Sequence, residues 1–100
     1  MTQVAKTIFE QLGGNKFAAM TGAINFSEIE NGLTFCLPKK LIKNKSNHVL
    51  ITLMPDDTYT VKFVHLNEQY VLCCSASYTD VYFDQLTEII SHETGLATSL

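Results

Sequence analysis

Apolar residues recur at helical spacing near both ends of the chain and alternate with polar ones between. Val4, Ile8, Phe9 and Leu12 fall on one face of a helix over residues 3–12, with Thr2 placed to cap it. Gly13 and Gly14 stop that helix. Asn15 can cap a short second helix, KFAAMT, which Gly22 ends. The period then changes to two. Ile24 and Phe26 alternate with polar neighbours, Asn31-Gly32 makes a turn, and Leu33, Phe35 and Leu37 alternate again. That pattern predicts a hairpin, which Pro38 ends.

Residues 39–47, KKLIKNKSN, form a basic connection, and HVLITLM reads as a strand. Pro55-Asp56-Asp57 has turn chemistry: the proline fixes φ and the aspartates bond local amides. In TYTVKFV, Tyr59, Val61 and Phe63 face one way and Thr58, Thr60 and Lys62 the other, the clearest half-buried strand in the chain. After Asn67-Glu68-Gln69, YVLCCS predicts a further strand. A last helix is expected from about Asp80 to His92, with Tyr82, Phe83, Leu86, Ile89 and Ile90 on one side and Asp80, Asp84 and Glu88 opposite.

Runs of strands between terminal helices define an α+β class. The connections are too short for parallel crossovers, 38–47 excepted. The expected architecture is an antiparallel sheet of about four to five strands, packed on one face against N-terminal and C-terminal helices, with residues 1–100 as a single domain. The predicted core takes Ile8, Phe9, Leu12, Phe17, Phe26, Phe35, Ile51, Leu53, Tyr59, Val61, Phe63, Leu86, Ile89 and Ile90.

Composition narrows the class of function. The apolar fraction is 46% over 100 residues, which excludes wholesale disorder. No apolar run approaches the roughly 20 residues of a membrane span, and the N-terminus has no signal-peptide pattern. A soluble, cytoplasmic protein is expected, with no membrane partner. All seven basic residues are lysines. Residues 1–45 carry a net charge of +3 and residues 46–100 a net charge of −6, so the chain is electrically polarised along its length. The acidic half would steer toward basic partners.

The chemistry-bearing residues match few known patterns. His48, His65, His92, Cys36, Cys73 and Cys74 include zinc-ligand types, but no CxxC or HxxxH spacing, so no metal site is expected. His65 could meet Cys73 or Cys74 across one hairpin. The cysteines read as small buried hydrophobes rather than a disulfide framework. Nothing local marks one of them as an activated nucleophile, and no serine lies in a G-x-S-x-G elbow. Neither catalysis nor a cofactor is expected. Gly13-Gly14-Asn15-Lys16 could cradle an anion before a helix, but a cap followed by a cap explains the same residues. Lys39, Lys40, Lys43 and Lys45 could contact phosphates. The missing arginine and a pI of about 5.4 argue against sequence-specific nucleic-acid reading.

Five stretches carry a resemblance: LGGNKFAAMTGAINF (12–26), GLTFCLP (32–38), VLITLMPDDTYTVKF (49–63), VYFDQLTEI (81–89) and TGLATSL (94–100). Together they resemble a family of small, uncharacterised phage and prophage proteins. The shared pattern runs L-G-G-N-K-F-x-A-M-T-G-A, G-L-x-F-x-L-P, I-T-L-x-x-x-D-T-Y-x-V-x-F and T-G-L-x-T-x-L. Cys36, Cys73 and Cys74 depart from it. The resemblance implies a mobile-element accessory protein in a host bacterial cell and brings no catalytic residues. Its expected partner is a host or phage protein or ribonucleoprotein complex, and an inhibitor of a defence complex such as CRISPR–Cas fits that context. Asp80, Asp84 and Glu88 are the expected partner-binding residues. The alternative is a nucleic-acid-binding accessory protein using Lys39, Lys40, Lys43 and Lys45.

Overall fold

A computed structural model describes residues 2–37, 48–66, 69 and 72–94. Helix α1 (Gln3–Leu12) begins where Thr2 accepts a hydrogen bond from the Ala5 amide at 3.2 Å, relieving one of the unpaired donors of the first turn. Ala5, Ile8 and Leu12 form its buried stripe. Gly13, at φ 117°, ends it in the left-handed conformation that glycine adopts without a Cβ penalty. Helix α2 (Gly14–Thr21) follows without a spacer, so Asn15 lies inside it rather than capping it. Thr21 closes this helix from within: its buried hydroxyl donates to the Phe17 carbonyl at 2.9 Å and accepts from the Ala23 amide.

Five strands follow: β1 (Ile24–Ile29), β2 (Gly32–Cys36), β3 (His48–Leu53), β4 (Tyr59–Leu66) and β5 (Leu72–Val81). They pair antiparallel in chain order, β1-β2-β3-β4-β5, so β2 and β3, which flank residues 38–47 in the sequence, are antiparallel neighbours. Strand alternation puts Leu33 and Phe35, Val49 and Ile51, and Tyr59, Val61 and Phe63 on one buried face. Among the described residues, α1, α2 and the C-terminal segment that carries Leu86 and Ile90 bury apolar side chains in that same core. Phe9, Phe26, Phe35 and Phe17 touch in sequence, with ring centroids 5.0, 5.1 and 5.6 Å apart, and tie both N-terminal helices to β1 and β2. The α+β class is as expected, and every residue of the predicted core is buried or packed against it.

Three local departures matter. Register slips between Ile24 and Ser27, where Asn25 takes φ 58°; the pleat reverses there, and Ile24 emerges 59% exposed beside Cys36 instead of following Phe26 inward. Strand β5 runs to Val81, so the last helix does not begin at Asp80. A 3₁₀ turn, Phe83–Gln85, precedes α3 (Leu86–Thr94). Leu86 and Ile90 are buried in α3, whereas Tyr82 and Phe83 lie before it, 59% and 61% exposed. Tyr82 is extended, at φ −85° and ψ 158°, and Phe83 opens the 3₁₀ turn, so neither shares the helical stripe of α3.

Candidate functional site

The end of the sheet that holds the β3–β4 turn gathers acidic and exposed apolar groups. The turn is closed by the Met54 amide on the Thr58 carbonyl at 2.8 Å and the Asp57 amide on the Met54 carbonyl at 3.0 Å. Asp56 Oδ1 accepts from the Thr58 hydroxyl at 2.6 Å and from its amide at 3.2 Å. These two bonds, the hydroxyl's foremost, hold the Asp56 carboxyl below its ordinary 3.8. Asp56 therefore bonds a local amide as expected, while Asp57 contributes its backbone amide and a φ of 67°.

Across the sheet, β5 ends in a bulge. Tyr78 pairs with Val61 and Val81 with Tyr59, so Thr79 and Asp80 together oppose Thr60. The extra residue lets Tyr78 and Val81, three positions apart, both face the core. Asp80 absorbs it with φ 55°, a conformation aspartate tolerates better than most side chains, and is turned out to solvent. Met54, Pro55, Asp56, Thr58, Thr60, Thr79 and Asp80 line a shallow concavity of about 330 Å³. A second, of about 280 Å³, lies where Asn31, Leu53 and Asp57 meet Met54 and Pro55.

Just beyond Asp80 the chain turns through the 3₁₀ segment. The Tyr82 amide donates to Gln85 Oε1 at 3.0 Å while the Gln85 amide donates to the Tyr82 carbonyl at 2.9 Å. This reciprocal clasp fixes the turn that leaves Tyr82 and Phe83 outside. Two exposed aromatic rings thus stand between Asp80 and Asp84 in the chain.

Asp80, Asp84 and Glu88 do not form one helical row. Asp80 is on β5, Asp84 in the 3₁₀ turn and Glu88 in the first turn of α3, where the helix dipole favours a carboxylate. All three are exposed. Lys39, Lys40, Lys43 and Lys45 lie outside the described residues. Sequence reasoning missed Tyr82 and Phe83. Their signal was Gln85, three residues after Tyr82 and able to reach back to its amide.

The opposite end of the sheet collects the thiols. Cys36 and Cys73 are half-buried and Cys74 is exposed, so none is the fully buried hydrophobe expected. His65 is indeed opposite Cys73 in the ladder. A second, unanticipated pair is in contact: Cys36 Sγ lies 3.3 Å from His48 Nδ1, across β2 and β3. Among the described residues, no group of three or more histidine, cysteine or acidic side chains could hold a metal ion. No helix among them is long and apolar enough to cross a membrane. No protein-family model, curated protein or solved structure matches the chain.

Proposed function

We propose that this chain is a non-catalytic accessory protein of a phage or mobile element that acts by occupying a basic protein partner, as an inhibitor of a host defence complex would. The observation that supports this reading is the pairing of Tyr82 and Phe83, both more than half exposed, with the carboxylates of Asp80 and Asp84 on either side of them in the chain. Solvent-facing aromatic rings cost hydration, and aromatic residues supply much of the binding energy at protein interfaces. Carboxylates beside them steer a basic partner into register and raise its on-rate. The acidic C-terminal half and the resemblance to phage and prophage proteins point the same way.

The test begins with capture of a partner from the bacterial host and its identification by mass spectrometry. Purified partner is then titrated with two variants. Tyr82→Ala/Phe83→Ala is expected to weaken binding by about 1,000-fold, as the loss of two anchors of about 2 kcal/mol each would. Asp80→Lys/Asp84→Lys/Glu88→Lys is expected to slow association at low salt and alter its salt dependence. Unchanged binding by both variants would remove this surface from the proposal. Steep loss of DNA affinity with salt, its slope reduced by about one unit for each of Lys39, Lys40, Lys43 and Lys45 replaced, would favour nucleic-acid binding instead.

A further inference from the structure

We infer that Cys36 and His48 form a reactive thiol–imidazole pair, and that Cys36 is a site of thiol–disulfide exchange with small-molecule disulfides. The argument starts from register. Cys36 and His48 are direct cross-strand partners in the β2–β3 ladder, so their side chains share a face. That face is opposite the one carrying Phe35 and Val49, which the helices cover. The same row continues through Val64 to Cys74 on one side and to Ile24 on the other. Cys36 and His48 are half-buried there, close enough to water to meet a solute and enclosed enough to keep their mutual geometry.

The contact itself is a hydrogen bond between a nucleophile and a base. At 3.3 Å, Sγ and Nδ1 can share one proton. With the Nε2–H tautomer, His48 Nδ1 accepts the thiol proton; with both ring nitrogens protonated, it donates to the thiolate. The thiolate is the form that attacks a disulfide. In the step proposed, the Cys36 proton moves to His48 Nδ1 and Sγ attacks one sulfur of R–S–S–R. A bond forms between Cys36 and that sulfur as the old S–S bond breaks. The departing thiolate takes the proton from His48. Cys36 is oxidised, the other half of the disulfide is reduced to R–SH, and the disulfide is the oxidant.

The fold determines what becomes of the product. Cys74 is the other cysteine in this row, but it lies three strand spacings away, about 14 Å. A disulfide needs Cα atoms within about 7 Å. Cys74 therefore cannot resolve a mixed disulfide on Cys36, and the modification persists until an external thiol removes it. The other titratable groups of this face, among the described residues, are Lys62, Cys74 and, around Thr60 at the far end of the sheet, Asp56 and Asp80. Lys62 lies opposite Leu50, two residues along β3 from His48. Ile24 and Val64, the remaining members of the row, carry no charge.

The experiment uses the full chain with Cys73→Ser and Cys74→Ser, so that Cys36 is the only thiol. The probe is bis(hydroxyethyl) disulfide, which is uncharged and therefore insensitive to Lys62. Mixed-disulfide formation is followed by mass spectrometry from pH 6 to 9.5. An unassisted thiol gains about ten-fold in rate per pH unit below about 8.5. For Cys36 the readout is the difference in rate between the parent and a variant without the imidazole. His48→Asn, checked by melting to be folded, is expected to lose about ten-fold or more at pH 7 and to converge with the parent near pH 9.5. Equal rates at pH 7, or an equal loss at every pH, would overturn the pair as a reactive unit. If His48→Asn does not fold, His48→Gln is compared with the parent in the same way, and equal rates at pH 7 overturn the proposal.

Discussion

Tyr59 on β4 donates its phenolic hydrogen to Oε1 of Gln11, in the last turn of α1, at 2.7 Å and across 48 positions of sequence. The ring is buried with the core while its hydroxyl reaches the helix end. Burial, chiefly, and the nearby carboxylate of Asp57 push the Tyr59 hydroxyl above its ordinary 10.0. The protonated phenol is thus favoured by folding. Its contribution is complete below pH 10 and is lost as pH rises through and beyond that value. Tyr59→Phe is expected to cost about 0.5–1.5 kcal/mol at pH 7. Urea melts from pH 8 to 11 should show a shallower alkaline loss for the variant than for the parent. Parallel curves would refute the assignment.

Asp56 gives the opposite dependence. The hydrogen bonds from Thr58 depress its carboxyl, so its contribution is present above the unfolded value of about 3.8 and lost as pH falls through the lower folded value. Carbon NMR of the Asp56 carboxyl should give a midpoint below 3.8. Thr58→Val should move that midpoint upward. A midpoint at the ordinary value in the parent would mean that the turn is not held by this bond in solution.

Phe63 and Ile90 are fully buried, on β4 and α3 respectively. Truncation to alanine removes their transfer free energy and leaves a cavity. The expected cost is about 3–5 kcal/mol for Phe63→Ala and about 2–5 kcal/mol for Ile90→Ala. Chemical melts showing less than about 1 kcal/mol for both would contradict the core described.

Gly32 opens β2 opposite Thr52 of β3. A Cβ there would sit 2.1 Å from the Ile51 carbonyl oxygen, a backbone atom with no rotamer to yield. Gly32→Ala is therefore expected to destabilise by about 3 kcal/mol, at the upper end of ordinary overpacking. Asn31, beside it in the turn, is already at φ 54°. Asn31→Gly should accordingly be nearly neutral in the same melt, which separates crowding at β2 from flexibility of the turn.

The linear pattern carried the architecture because it reports local periodicity and burial. The alternation of Tyr59, Val61 and Phe63 and the helical spacing of Ile8 and Leu12 each name the face that must leave water. Turn chemistry at Pro55-Asp56-Asp57 and the glycine stop at Gly13 were legible for the same reason: each is decided within a few residues.

What the sequence could not decide was set by pairing between distant segments. Asp80 looked helical because Asp84 and Glu88 follow at helical spacing, but β4 holds the chain as strand through Val81, and the bulge at Asp80 keeps Tyr78 and Val81 both inward. That bulge and the following 3₁₀ turn, rather than any local propensity, put Tyr82 and Phe83 in solvent. The meeting of Cys36 with His48 likewise depends on the register of β2 against β3, which a shift of one residue would abolish. Composition and spacing determined which side chains were available. Only the ladder of strand pairs determined which of them stand side by side.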